Sequence, residues 1–240
     1  MRPDIVNLRQ FYSSRLGRKV KTRLCHIALA HWPAHTGDRI VGIGYTLPVL
    51  RVLERTGPAT VMALMPAEQG AIYWPVHSEN RSILGDEMRP PFAPNSISRI
   101  VMLHALEYAH APDELLRVVW QLLAPGGQLL LIVPNRSGLW SRYGATPFST
   151  GTPYTLAALR ELLKEAQFTQ RDVSSALFAP PSAHPLLLKL SGVIEGFAKL
   201  FLPRKGGVLV IEAEKQIYAG VGERVARKAA SVPAMQGVPV

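Results

Sequence analysis

Between residues 84 and 135 the chain alternates apolar runs with turn-forming clusters in the order that a parallel sheet demands. An acidic turn (Gly85-Asp86-Glu87) leads into a Pro-rich loop and then the apolar run Ser98–Leu103. A polar loop follows, then a helical pattern over Pro112–Leu123 whose first turn carries Asp113 and Glu114, as the helix dipole favours. Pro125-Gly126-Gly127 makes a turn, and Gln128–Val133 is a second apolar run. Two buried strands joined through a helix can be parallel neighbours only by a right-handed crossover, with helices covering the sheet. This segment therefore restricts the chain to an α/β fold.

The same alternation extends to both sides. Arg39–Ile43, Thr60–Leu64 and Arg81–Leu84 read as short strands, with a helix over Leu47–Arg55. After a loop from Asn135 to Pro153, a helix is expected over Thr155–Ala166, with Thr155 as its N-cap. Phe168–Ser174 and Gly207–Glu212 read as strands, and Pro185–Phe201 as a strongly apolar helix. Thr36-Gly37-Asp38 reads as a turn. Ahead of it, residues 4–31 place Ile5, Leu8, Tyr12, Leu16, Val20, Leu24 and Ile27 at helical spacing, as one or two helices broken near Gly17. The expected organisation is a helical extension over 1–37, an α/β domain over 38–218 and a disordered basic tail over 219–240.

The 240 residues are 48% hydrophobic, enough for one α/β domain, and carry a formal charge of +10. The excess sits at the ends: Arg2, Arg9, Arg15, Arg18, Lys19, Lys21 and Arg23 near one, Arg204, Lys205, Lys215, Arg224, Arg227 and Lys228 near the other. Either a solvated basic face or an acidic partner (RNA, an anionic membrane surface, a protein) accounts for it. One cysteine, Cys25, excludes an intrachain disulfide and cysteine-rich zinc sites. No metal site is expected. No apolar run reaches the roughly 18–20 residues of a membrane span. The basic N-terminus lacks the apolar stretch of a signal peptide, so a cytoplasmic location is expected.

The order of these pieces resembles class I S-adenosylmethionine-dependent methyltransferases, particularly the type 11 group. Gly85-Asp86, Pro91-Phe92, His104 with Leu106-Glu107, Pro125-Gly126-Gly127 and Pro134-Asn135 carry the resemblance. It covers residues 38–135 well and 150–215 loosely. It implies a Rossmann-like, doubly wound, mostly parallel seven-stranded sheet with an antiparallel last strand, plus N-terminal helices, and S-adenosylmethionine as cofactor.

The implied cofactor crevice lies outside the carboxyl ends of the strands, where strand order reverses. In this family the first strand ends in an acid followed by three alternating glycines, so that backbone can approach the cofactor. Here Gly42 stands at the acid's place, Gly44 matches the first glycine, and Thr46 and Pro48 replace the others, with Tyr45 in the turn. The second strand ends in Met65-Pro66 without the carboxylate that takes the ribose hydroxyls; Glu68 is the nearest acid. Asp86 matches the acid that receives the adenine amino group, with Glu87 beside it and Met88 placed to pack on the ring. Asp86 would serve equally as a turn cap.

His104, at the fourth strand's end, falls beside the methyl donor, and with His110 it is a candidate base, Glu107 orienting it. Asn135, Arg136, Trp140, Arg142, Tyr143 and Phe148 combine cations with aromatics on the same rim, suiting a flat or anionic acceptor or a loop packed on its own domain. Three functions stay open: methyl transfer to a small molecule, lipid, RNA or protein; a non-catalytic binding or assembly module on the same fold; and nucleic-acid binding through the basic ends.

Overall fold

The computed structural model describes residues 2–32, 37–143, 146–182, 184, 190, 192, 195–197, 201 and 204–216. The expected 219–240 tail, Thr36 of the expected turn, and most of the expected Pro185–Phe201 helix lie outside these; residues 190, 192, 195–197 and 201 are helical.

Seven strands form one sheet in the order β3-β2-β1-β4-β5-β7-β6. They are β1 (Arg39–Gly44), β2 (Thr60–Pro66), β3 (Ser82–Gly85), β4 (Ile97–Leu103), β5 (Leu123–Pro134), β6 (Phe168–Ala176) and β7 (Val208–Lys215). β1, β2, β3, β4 and β5 pair in parallel, and β7 runs antiparallel to both of its neighbours. Strand order reverses between β1 and β4, so the crevice at their carboxyl ends is the expected ligand site.

Alternate residues of each strand enter opposite layers, as the period of two requires. Ile40, Ala63, Val101, Leu130 and Val210 pack under helices α1 (Ile5–Ser13), α2 (Arg15–His31) and α3 (Leu47–Leu53). Val41, Leu64, Ile100, Leu129 and Ile211 pack under α4 (Pro112–Leu122) and α5 (Leu156–Glu165). The N-terminal helices thus share the sheet's core: Leu8, Val20 and Leu24 are wholly buried in it.

Of the boundaries that differ from the sequence reading, two have identifiable causes. The helix break falls at Ser14, not Gly17. Ser14 is extended and its side chain caps α2 by accepting from the Gly17 amide at 3.0 Å. Gly17 is needed for space instead, because a Cβ there would stand 1.9 Å from the Phe11 carbonyl oxygen. β5 begins at Leu123 rather than Gln128, because Leu123 pairs with Ile97 across an irregularity in β4. Thr155 caps α5 as expected, its hydroxyl accepting from the Ala158 amide at 3.2 Å.

Candidate functional site

The turn after β1 is closed by sterics. Gly44 has φ +89°, and a Cβ on it would lie 2.3 Å from the Leu103 carbonyl oxygen, so β1 and β4 meet without a gap. Gly42 makes room for a different side chain: a Cβ there would sit 1.9 Å from the Thr46 hydroxyl oxygen. Thr46 is fully buried, and its hydroxyl has no hydrogen-bond partner among the described residues. Tyr45 is buried, and its ring stacks on Tyr12 of α1 with centroids 5.3 Å apart. Met65, at the end of β2, is core.

The N-terminal segment lies along the carboxyl ends of the strands. At the β3 end, Arg2 makes a bidentate pair with Glu87 at 3.0 and 2.5 Å, both side chains nearly out of solvent. At the β2 end, the Ile5 amide donates to the Gln69 carbonyl at 2.7 Å. At the β4 end, the Tyr12 hydroxyl lies 2.8 Å from His104 Nε2. The sequence gives no local hint of these contacts: Tyr12 reads as one position of a helical apolar stripe, and Arg2 as a surface charge.

His104 adopts φ +55° and is wholly buried, with the Phe148 ring 4.7 Å away. Its Nδ1 faces Glu107 Oε1 at 3.3 Å. Glu107 is also buried, and neither of its carboxylate oxygens has a hydrogen-bond partner among the described residues. Gly151 lies tight against it, since a Cβ there would come 2.6 Å from Glu107 Cγ. Burial, then the charges of Tyr45 and Glu107, push the Tyr12 hydroxyl well above its ordinary range. Burial and the Glu107 charge also raise Tyr108 well above it, and bring Tyr154 up to about 12.

Two cavities open at the ends of β2, β3 and β4. One of about 620 Å³ is bounded by Arg2, Glu68, Glu107, Tyr108, His110 and Thr150–Thr152. The other, about 370 Å³, runs to Gly85–Met88. Both are bordered by Arg2, Glu68, Ala109 and His110, so they are two halves of one crevice with Arg2 on the shared wall.

The expected site residues divide accordingly. Asp86, Glu87, Met88, Glu107 and His110 border the crevice; Gly42, Gly44, Tyr45, Met65 and His104 do not. Asp86 is exposed and its Oδ1 accepts from the Met88 amide at 2.8 Å. Met88 packs half-buried against the α4 layer. The His110 side chain is 92% exposed and 3.7 Å from Glu68, whereas His104, the other candidate base, is wholly buried.

The loop after β5 does not present its cations and aromatics on one surface. Trp140 and Phe148 are buried, whereas Arg136, Arg142 and Tyr143 are exposed. Asn135 is a strut: its amide donates to the Arg204 and Gly206 carbonyls at 3.0 and 2.7 Å. Among the described residues no group of three or more His, Cys, Asp or Glu is placed to hold a metal. No helix there is long and apolar enough to cross a membrane.

S-adenosylmethionine, the cofactor of the resembling family, can be tested against this wall. The crevice offers Asp86 at one end and Glu68 near the end of β2, with Glu107 also among its wall residues. A ligand carrying a cationic centre and several N–H and O–H donors matches that set. The residues present fit the group.

Solved structures share this architecture. A methyltransferase from Thermotoga maritima, described as S-adenosylmethionine-dependent and a possible histamine N-methyltransferase, aligns with TM-score 0.63 and 16% identity over 88% of this chain and 96% of that one. A chain of the complex between the Haloferax volcanii Trm112 methyltransferase activator and a methyltransferase aligns at 0.61 and 19%, over 88% and 98%. The [4+2]-cyclase SpnF aligns at 0.54 and 16%, over 85% and 84%. At these identities the likeness is one of fold. No curated protein matches the sequence. The family model described as methyltransferase domain matches residues 42–173, from within β1 to within β6. That match spans more than half of the chain, and this protein belongs to the methyltransferase-domain family.

Proposed function

We propose that this protein binds S-adenosylmethionine in the crevice at the ends of β2, β3 and β4 and transfers its methyl group to an acceptor small enough to enter there. The observation that carries the reading is the crevice itself, at the ends of the strands where their order reverses, with the acidic residues Glu68, Asp86 and Glu107 on its walls. An acidic wall of this kind suits a ligand with a cationic centre and several N–H and O–H donors. The cofactor, when bound, supplies an electrophilic methyl on a sulfonium.

The residues then take distinct parts. Asp86 receives amino-group donors at the far end, and Glu68 receives hydroxyl donors near β2. Glu107 and His104, a buried pair 3.3 Å apart under the crevice wall, take up a proton where the acceptor must lose one. Tyr12 holds the pair through His104 Nε2. Without the ribose carboxylate, affinity is lower by about one to two decades, the worth of a charged hydrogen bond (about 1.5–3 kcal/mol).

A second reading has its own observation. Arg2, Ile5 and Tyr12 tie the N-terminal segment along the carboxyl ends of the strands, as in a fold retained for binding or assembly rather than catalysis. Titration calorimetry of the full chain with S-adenosylmethionine and S-adenosylhomocysteine separates the two. Micromolar binding supports methyl transfer; no binding up to millimolar ligand, in protein shown to be folded, overturns it in favour of the non-catalytic module.

A further inference from the structure

A separate cavity of about 370 Å³ lies between α2 and the segment that follows β6. It shares no wall residue with the crevice. Trp140 borders it, and Trp140 and Phe148 (centroids 5.7 Å apart) stand between it and His104. Its volume falls in the range of about 300–1,000 Å³ usual for small-molecule sites.

The walls are of two kinds. Leu16, Val20, Leu177 and the Trp140 ring form an apolar interior, and the Trp140 indole N–H is already satisfied by the Ala179 carbonyl at 2.8 Å. That interior asks for an apolar occupant. Along one side, Lys19, Arg23 and His26 follow the i, i+4, i+7 spacing that lines up one face of a helix. The carboxylate present, Glu195, is already committed: its two oxygens accept from the Leu177 and Phe178 amides, each at 2.8 Å. It meets only the Nε edge of Arg23, at 3.1 Å. No described residue accepts a hydrogen bond from the terminal nitrogens of Arg23 or from Lys19. A planar guanidinium with a free edge is a fork for a carboxylate or sulfonate.

We propose that this cavity is a binding site for a small amphiphilic anion, an aromatic or acyl body with a carboxylate or sulfonate head, the body between Val20 and Leu177 and the head on Arg23 and Lys19. The proposal does not rest on methyl transfer, because the crevice and this cavity have separate walls.

The probe is 1-anilinonaphthalene-8-sulfonate on the folded full chain, beside the uncharged N-phenyl-1-naphthylamine. Saturable one-to-one binding of the sulfonate is expected. Lys19→Gln and Arg23→Gln should each weaken it at least fivefold and leave the uncharged probe unchanged. Val20→Trp should abolish both, with Leu16→Trp as the substitute if that variant fails to fold. Absence of saturable binding, or binding that survives the filled cavity, overturns the site. Equal losses for both probes in Lys19→Gln overturn the anionic head. S-adenosylhomocysteine titrated into the same variants reports on the crevice separately.

Discussion

The Tyr12 hydroxyl lies 2.8 Å from Nε2 of His104, joining the first helix to the end of the fourth strand across 92 residues of chain. His104 is wholly buried at positive φ, and its other nitrogen faces Glu107. A contact between α1 and β4 therefore holds the side chain that backs the crevice carboxylate. Removing the hydroxyl in Tyr12→Phe leaves a buried imidazole nitrogen unpaired, at a cost of about 1–3 kcal/mol. Urea denaturation should show a lowered midpoint with an unchanged slope.

Arg2 and Glu87 form a pair nearly sealed from water. Arg2→Met strands a buried carboxylate and should destabilise the protein by about 3 kcal/mol, whereas Arg2→Met with Glu87→Leu should recover most of the loss. A double-mutant cycle measures the coupling. A double variant no more stable than Arg2→Met alone would mean that Arg2 matters for packing rather than charge.

Glu107→Gln keeps the shape and removes a buried charge that has no hydrogen-bond partner among the described residues. The variant is expected to be more stable than the parent by about 1 kcal/mol. If the crevice holds S-adenosylmethionine, the same change should weaken S-adenosylhomocysteine binding tenfold or more. A gain in stability paired with a loss of binding is the mark of a functional carboxylate, and calorimetry alongside thermal melting checks both.

Asp86 is exposed, and its side chain makes a local cap by accepting from the Met88 amide. Asp86→Ala should thus leave the fold intact while reducing S-adenosylhomocysteine affinity at least tenfold. Unchanged affinity would remove Asp86 from the adenine end and leave it a turn cap.

Tyr154 gives a pH signature. Burial, then the Glu107 charge, raises it from its ordinary 10.0 to about 12. The folded state then holds a proton that the unfolded chain releases, so stability is constant below pH 10 and falls as pH rises from 10 towards 12. Tyr12, Tyr45 and Tyr108 shift in the same direction and add to the fall. Denaturation midpoints between pH 8 and 12 should show the decline, and it should be shallower in Tyr154→Phe.

Much of the sheet is legible because its signals are short-ranged. Ser98–Leu103, Pro112–Leu123 and the Pro125-Gly126-Gly127 turn each declare themselves within a dozen residues, through apolar runs, first-turn acids and turn chemistry. Seen in order, they imply the parallel sheet, and the resemblance supplies the antiparallel β7. Boundaries move where a distant partner decides them: β5 starts early because Ile97 pairs with Leu123.

The site was legible only along the strand ends. Position in the fold brings Asp86, Met88 and Glu107 to the crevice, whereas Tyr45 and His104, equally close to strand ends, pack against Tyr12 and Phe148 and do not border it. The split of the loop after β5, with Trp140 and Phe148 inside and Arg136, Arg142 and Tyr143 outside, depends on which side chains meet α1 and β4. No local pattern encodes that.

The sequence by itself thus determined the α/β class, the order of elements and the rim on which chemistry can occur, because periodicity and turn residues act within a few neighbours. Tertiary structure alone decided that Arg2 pairs with Glu87, that Tyr12 bonds His104, and that His104 and Glu107 are buried against each other. Those outcomes depend on how the packing of α1 and α2 on the sheet positions side chains about 85 to 95 residues apart, and burial then gives each contact its energy.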